Sequence, residues 1–321
     1  MIAALVCACM LAFGASASSA APVSARPVAS ATVSPFTGYL TIMFGRSQWV
    51  QTDENCDDLP NTVPLDQIGA AMHAQGLTAT GTVVVDRTLE TDMQCLNGFI
   101  LYPSWDELAA LRDTDGWTFI SGGATYANMT KLTPAQQQAE SCGSLTALSD
   151  HGDTRAWGMF GYPNNKFTTD IQANVVSHCF AFGRTYAGGR NLRSTTVAPW
   201  LQRSNSVNGG ACNNSALPCY DPAPLGGRRY RSPVNLAGLM KPRADQWDVI
   251  QFYRMVSGSY SSPNGSWDCT SADWHDHWTN KPELYCWNDF LFATGGIPSS
   301  VHVADPATVA TAWGIGNPNG P

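Results

Sequence analysis

Regular alternation of short apolar segments with amphipathic helices constrains the fold of this chain more than any other feature. The first apolar segment, 39–45, precedes the helical spacing of Leu65, Ile68 and Met72, and a β-branched segment, 78–85, follows. The pattern recurs about seven times. The predicted strands are 39–45, 78–85, 117–123, 156–162, 179–186, 247–256 and 301–304, and the predicted helices are 62–75, 103–111, 133–148, 168–176 and 306–313. Such alternation predicts an α/β fold with parallel strands and crossover helices, either a doubly wound sheet or a barrel.

Composition excludes several classes of function. The 321-residue chain is 44% hydrophobic and only 13% charged, with a formal net charge of -7. A hydrophobic content of this size rules out disorder as the main state, and the negative charge argues against nucleic-acid binding or a polybasic membrane surface. The body of the chain has no long uncharged apolar span, so no membrane span is expected. No glycine-rich dinucleotide or phosphate motif follows the first strand, and we expect no cofactor.

The amino terminus indicates export. An apolar run at 2–15 is followed by small residues at 16–21, which is the pattern of a secretory signal peptide. We assign 1–25 to the signal peptide and the start of a linker, 26–36 to the linker, and 37–315 to a single domain. Residues 187–245 are irregular and rich in Gly, Asn, Pro and Arg, and we interpret them as an insertion. The expected location is extracellular or periplasmic.

The cysteines fit an exported protein. Ten are present, and removal of Cys7 and Cys9 with the signal peptide leaves an even number. Disulfides are therefore expected, with Cys212–Cys219 and Cys269–Cys286 as the plausible local pairs and the remaining connectivity open. None of the remaining cysteines has the CxxC spacing typical of zinc sites or thioredoxin chemistry.

Several segments resemble the NodB-type polysaccharide deacetylases. They are Val63 to Val85, Tyr102 to Leu108, Gly116 to Ser121 and Asn128 to Gln136. The resemblance covers roughly residues 37 to 190 and, more loosely, 245 to 310. It implies a distorted (β/α)7-type barrel carrying the irregular insertion. It also implies a carbohydrate-active protein whose partner is a polysaccharide or cell-wall glycan.

The chain departs from that family at the motifs that hold its metal. Where the family's first strand ends in two aspartates, this sequence has Met43 and Phe44. Where the family has two histidines after the third strand, it has Gly122 and Tyr126, and Tyr253 replaces a late histidine. Metal-assisted hydrolysis needs oxygen or nitrogen ligands that hold a divalent ion. The sequence therefore predicts no metal and no deacetylation by the family's mechanism.

Polar and aromatic residues at the predicted strand ends are candidates for a glycan site. Aromatic faces and amide groups suit sugar rings and hydroxyls. The candidate substrate-binding residues are Arg46, Gln48, Trp49, Tyr126, Asn128, Tyr162, Asn164, Arg184 and Tyr253.

Several carboxylates are candidate catalytic residues. Asp86 directly follows the second predicted strand, and a second acid, Asp53, Asp57 or Asp58, could complete a glycosidase pair. His275 and His277 could share a metal, although hydrogen-bonded histidines in a Trp-rich loop are the favoured interpretation. Two hypotheses remain open: a carbohydrate-active hydrolase with a rebuilt site, and a glycan-binding protein without catalysis.

Overall fold

The computed structural model describes residues 38–45, 61–88, 102–193, 199–207, 233–262, 265–270 and 284–319. All of these belong to one folding unit, 35–321. The predicted signal peptide and the linker at 26–36 lie outside the described residues. Within the described ranges, no helix is both long enough and apolar enough to cross a bilayer.

Strands and helices alternate as the sequence predicts. In chain order, the strands are β1 (Gly38–Phe44), β2 (Thr62–Val63), β3 (Thr80–Val83), β4 (Thr118–Ser121), β5 (Met159–Gly161), β6 (Phe182–Arg184), β7 (Asn191–Leu192), β8 (Asn205–Ser206), β9 (Gln246–Phe252), β10 (Arg254–Val256), β11 (Ser259–Ser262), β12 (Gly265–Asp268), β13 (Leu284–Cys286) and β14 (Val301–Val303). The helices are α1 (Leu65–Ala74), α2 (Trp105–Asp115), α3 (Pro134–Gln138), α4 (Ser144–Asp150), α5 (Thr169–Asn174), α6 (Pro233–Leu239), α7 (Trp287–Gly295) and α8 (Pro306–Ala312). Every strand and helix predicted from the sequence overlaps one of these elements.

The main sheet is built around β1. Strands β3, β4, β5 and β6 follow it on one side, each parallel to its neighbour, and β9 is parallel to it on the other. Strand β14 pairs with the first half of β1 on the same edge as β3. The parallel order confirms the α/β class, since parallel neighbours require crossover connections.

Residues 202–207 close the gap between β6 and β9. Gln202 N donates to Gly183 O at 2.7 Å, and Thr185 N donates to Gln202 O at 2.8 Å. Strand β8 then pairs in parallel with β9 at Ile250 and Gln251. The hydrogen-bonded ring therefore runs through β1, β3, β4, β5, β6, residues 202–206 and β9, and the barrel prediction is confirmed over the doubly wound sheet.

This closing segment falls inside the predicted insertion, 187–245. The structure places part of that stretch in the barrel wall instead of over one face. The sequence of the segment, Gln-Arg-Ser-Asn-Ser, lacks the apolar alternation by which strands are recognised.

Two buried asparagine side chains attach the closing segment to the chain after β6. Asn191 Oδ1 accepts a hydrogen bond from Arg203 N at 2.7 Å, and its Nδ2 donates to Arg203 O at 3.0 Å. Asn205 makes the same pair of bonds with Gly189, at 2.9 Å to its N–H and 3.0 Å to its carbonyl. Each amide side chain thus takes the place of a peptide group in a ladder, which explains how a polar segment satisfies its buried backbone.

Alternation along the strands separates two apolar cores. One set of strand side chains fills the barrel interior and packs with Ala310 of α8: Met43, Ile120, Met159, Phe182, Trp247 and Val249. The opposite faces of β1 and β9 carry Leu40, Ile42, Phe44, Ile250 and Phe252, which lie in the larger core shared with the outer helices. The two-residue period of a strand therefore decides which residues reach the interior.

Helix ends follow the residue types that the sequence offers. Ser104 Oγ accepts from Glu107 N at 3.2 Å, and Glu107 Oε2 accepts from Ser104 N at 2.7 Å, which is a capping box at the start of α2. Gly116 ends α2 in the left-handed region, with φ 69°. These contacts support the predicted helix start at Pro103 and Ser104.

Two disulfides lie within the described residues. Cys269–Cys286 confirms the predicted local pair. Cys142–Cys179 joins the segment between α3 and α4 to the residues before β6, and the sequence spacing had left that pairing open. The predicted pair Cys212–Cys219 lies outside the described residues.

Removal of the Asn191 side chain tests the closure. In Asn191→Ala, the buried N–H and carbonyl of Arg203 lose their partners, and we expect the free energy of unfolding to fall by about 2 kcal/mol or more. Urea unfolding measures the change. The exposed Gln138→Ala is the matched control, with an expected change below about 0.5 kcal/mol. Equal stabilities of the two variants would contradict this role.

Two buried carboxyls predict how stability depends on pH. Burial raises the pKa of Asp248 to about 7 and that of Asp153 to about 6, although Arg190 and Arg112 respectively oppose the shifts. The folded state therefore holds more protons than the unfolded state above the usual carboxyl pKa. Stability then falls as pH rises from about 4 to about 7.

Asp248→Asn and Asp153→Asn each remove one of these titrations. We expect a shallower decline in the free energy of unfolding in each variant, measured by urea titration across that window. The double variant is expected to combine the two effects. A decline as steep as in the parent protein in both single variants would refute the assignment.

Candidate functional site

At the mouth, three of the barrel strands have a glycine at their last residue or directly after it. Gly45 directly follows β1, Gly122 directly follows β4, and Gly161 ends β5. A Cβ added to Gly161 would lie 2.8 Å from Arg184 Nη2, and one added to Gly45 would collide with Gln251 Nε2. Because Gly45 and Gly161 have no side chains, Gln251 and Arg184 can occupy this space.

Arg184 and Gln251 meet across this space. Arg184 ends β6, and Gln251 lies on the interior face of β9, two residues beyond Val249. Arg184 Nη1 donates a hydrogen bond to Gln251 Oε1. The guanidinium carbon lies 4.9 Å from the centre of the Tyr186 ring, which is a cation–π contact.

This pair has unused hydrogen-bonding capacity. Arg184 is 4% exposed and Gln251 is fully buried. Among the described residues, Arg184 Nε and Gln251 Nε2 have no hydrogen-bond partner, and no ion pair involves Arg184. A buried donor without a partner costs about 1–3 kcal/mol, and an unpaired charge costs more. An acceptor oxygen placed beside these two donors would therefore be stabilising.

A buried carboxylate shapes the loop after β4. Glu140, 3% exposed, lies in a π-helical turn (139–143) between α3 and α4. Its Oε1 accepts from Ala127 N at 2.9 Å, and its Oε2 accepts from Thr125 N at 3.0 Å and from Thr125 Oγ1 at 2.9 Å. Tyr126, between these two residues, adopts φ 66°, a left-handed conformation that costs energy for a non-glycine residue. Glu140 therefore holds Tyr126 in place.

Aromatic rings surround Arg87 beside this loop. Its Nη1 donates to Tyr102 Oη at 2.8 Å. The guanidinium carbon lies 5.6 Å from the centre of the Tyr102 ring and 5.5 Å from that of Tyr126. Two aromatic side chains are thus fixed near the end of β3.

Asp86 lies at this same edge, exposed in a 3₁₀ turn (85–87) directly after β3. Its backbone N donates to Ala124 O at 2.9 Å, which ties the turn to the loop after β4. Asp53, Asp57 and Asp58, its predicted partners in catalysis, lie outside the described residues, so the pair stays a prediction. His275 and His277 also lie outside them.

The predicted substrate-binding residues have different environments. Arg184 and Tyr253 lie at the ends of β6 and β9, and Tyr126 lies half-buried after β4. Asn128 accepts from Thr130 N at 3.1 Å, which caps a turn. Asn164 is exposed, with φ 53°. The predicted residues Arg46, Gln48 and Trp49 lie outside the described residues.

The structure places Tyr162 in the core and not at the mouth. Its side chain is 1% exposed, and its hydroxyl donates to Trp200 O at 3.0 Å. Burial raises the pKa of this phenol. The strand period explains the position: Gly161 faces the interior, so Tyr162 points to the outer side with Phe160 and Phe180.

The residues at the family's metal positions do not fit a divalent ion. Met43 is fully buried among Ile120 and Met159 in the barrel interior, and Phe44 lies in the outer core. Gly122 has no side chain, and the Tyr126 ring lies against Arg87. Within the described part of the chain, no group of three or more His, Cys, Asp or Glu side chains lies close enough to hold a metal.

Sequence reasoning missed two residues of this region. Gln251 could have been found as a polar residue on the strand face that carries Trp247 and Val249. Glu140 fell inside a predicted helix, 133–148, where a carboxylate is ordinary. Its role depends on the π-turn, which the sequence pattern does not reveal.

Comparison with known proteins finds likeness in structure alone. No family model matches the chain, and no curated protein is similar to it. Among solved structures, it is similar to a family 4 carbohydrate esterase from Streptomyces lividans in complex with acetate, at 12% identity and TM-score 0.38, over 88% of this chain and 92% of that one.

Two further solved structures are similar to this chain. The Xyl-CE4 domain of a multidomain xylanase from the hindgut metagenome of Trinervitermes trinervoides matches at 10% identity and TM-score 0.37, over 84% of this chain and 98% of that one. A Bacillus cereus polysaccharide deacetylase matches at 13% identity and TM-score 0.37, over 51% of this chain and 63% of that one. Because these scores are low, the fold is assigned from the strand order and register.

Glu140→Gln tests the loop after β4. The amide NH₂ cannot accept from an N–H group, so at least one bond to Thr125 or Ala127 is lost. We expect a loss of about 2 kcal/mol in unfolding free energy and faster amide exchange at residues 125–127. The exposed Asp106→Asn is the matched control. Unchanged exchange in Glu140→Gln would disprove this role.

Proposed function

We propose that this chain is an exported carbohydrate-active protein that binds a glycan at its barrel mouth without the divalent metal of the deacetylase family. The main support is a pair of buried donors, Arg184 Nε and Gln251 Nε2, at the carboxyl ends of parallel strands. Neither donor has a hydrogen-bond partner among the described residues. Barrel sites form at these strand ends. Hydroxyl, carbonyl and carboxylate oxygens of a glycan are suitable acceptors for both donors.

The aromatic residues at the same end supply the complementary surface. Tyr186 lies against the Arg184 guanidinium, and Tyr102 and Tyr126 flank Arg87. Tyrosine rings present flat faces to the C–H groups of sugars and a hydroxyl to their polar edges. The residue types therefore suit a neutral or acidic glycan.

The side chains at the family's metal positions support the proposal that the glycan is bound without a divalent metal. Met43, Phe44 and Gly122 offer no hard oxygen or nitrogen ligand, so these positions lack the groups that would hold a water-activating metal at this mouth. Export is supported by the signal-like amino terminus together with Cys142–Cys179 and Cys269–Cys286, because disulfides persist in oxidising compartments.

A glycosidase is the second candidate, favoured by the exposed position of Asp86 after β3. Glycoside hydrolysis needs two carboxyl groups on opposite sides of the scissile bond. Asp53, Asp57 or Asp58 would have to supply the other one.

A panel of acetylated and plain polysaccharides tests the proposal. Binding, acetate release and new reducing ends are measured with and without EDTA. We expect binding that EDTA does not abolish and no EDTA-sensitive acetate release. Acetate release that requires a tightly held zinc or cobalt ion would refute the proposal. If the protein releases new reducing ends and the Asp86→Asn variant does not, the protein is a glycosidase that uses Asp86.

Arg184→Met separates a binding role from a structural one. The substitution removes a buried charge that no described carboxylate neutralises, so we expect unfolding free energy to stay level or rise. Glycan affinity should fall at least about tenfold, which corresponds to about 1.4 kcal/mol. The exposed Lys131→Met is the control for loss of one positive charge. Unchanged affinity in Arg184→Met would exclude this residue from the site.

A further inference from the structure

A second concave site lies beside β7, away from the mouth. It is a cavity of about 150 Å³ whose lining includes Phe182, Gln202 and Trp313. Phe182 begins β6, whereas Arg184 ends it, and Trp313 follows α8 at the lower end of the barrel interior. The cavity therefore lies toward the amino-terminal ends of the strands, and none of the proposed mouth residues lines it.

The described residues of its lining include three arginines, Arg190, Arg193 and Arg203, and no carboxylate. Arg203 is 7% exposed and donates from Nη1 to Gly188 O at 2.9 Å. Its backbone is bonded to the Asn191 side chain, so this guanidinium is carried by the rigid closing segment. Arg193 is exposed at the end of β7.

Arg190 is held by one buried and one partly buried polar side chain. Its Nε lies 3.2 Å from Asp248 Oδ2, and its Nη1 donates to Gln246 Oε1 at 3.1 Å. Asp248 is fully buried and does not line the cavity. Asp248 offsets part of the charge of Arg190, so the positive charge of the lining comes mainly from Arg193 and Arg203. Guanidinium groups are the preferred partners of carboxylate oxygens.

The opposite part of the lining is apolar and fixed. Trp313 packs edge-on against Phe182, with ring centres 5.9 Å apart, and against Trp247, at 5.6 Å. Leu192 and Ile315 extend this surface. A cavity of about 150 Å³ accommodates a benzene-sized ring, so a substituted sugar ring would extend from this cavity into the solvent.

We propose that this cavity binds a single sugar ring that carries a carboxylate, a hexuronate, with the carboxylate on the arginines and the ring against Trp313. The choice of a sugar rests on the proposed glycan function, whereas the cavity itself is separate from the mouth. A uronate combines the negative charge, the ring size and the apolar C–H face that the lining matches.

Calorimetric titration of the full chain with glucuronate and galacturonate tests the proposal. Glucose and galactose are the neutral controls, and inorganic phosphate is the test for a general anion. We expect saturable binding of at least one uronate and at least tenfold weaker binding of the neutral sugars. Binding of phosphate as tight as that of both uronates would overturn the assignment to a sugar acid, and so would absence of uronate binding.

Single substitutions test whether uronate binds in this cavity. Arg193→Gln changes an exposed side chain, so folding is preserved, and we expect uronate affinity to fall at least fivefold. Lys131→Gln removes one positive charge elsewhere and should leave the affinity unchanged. Glycan binding at the mouth is measured separately with Arg184→Met, so that failure of the cavity proposal is distinguishable from failure of the mouth proposal. Loss of uronate binding in Arg184→Met but not in Arg193→Gln would move the site to the mouth and refute the cavity.

Discussion

Closure of the barrel by residues 202–207 is the constraint on which the rest of the structure depends. A parallel sheet that stopped at β6 and β9 would leave two rows of backbone groups unpaired. Asn191 and Asn205 solve this problem by bonding to peptide groups with their side-chain amides. The same closure brings β6 opposite β9, so it also creates the contact between Arg184 and Gln251.

The regular part of the fold is predictable because local patterns determine it. The apolar strands, the Ser104 capping box and the Cys269–Cys286 pair are each encoded within a few residues or one short loop. The closing segment is not predictable in this way, since its backbone is satisfied by Asn191 and Asn205 and not by an apolar face. Cys142–Cys179 is likewise a tertiary pairing, across 37 residues of sequence.

The residues of the candidate site also differ in how far the sequence predicts them. Arg184 was located from the end of a predicted strand, and the structure confirms that position. Tyr162 was assigned to the mouth by the same rule, but the side chain one residue beyond an interior glycine points outward. Gln251 and Glu140 depend on partners distant in sequence or on a π-turn. Proximity to a strand end thus identifies the mouth of the barrel. The two-residue period of the strand and the tertiary contacts decide which side chains point into it.

The glycines at the ends of β1, β4 and β5 have a consequence for redesign of this scaffold. The upper layer of the barrel is filled by two long polar side chains and not by the backbone. Its shape is therefore set by two positions that lie on strands of the closed barrel, β6 and β9. Shortening both would open a chamber lined by strand ends, above an apolar floor of Met43, Ile120 and Met159, into which new chemistry could be introduced without altering any loop.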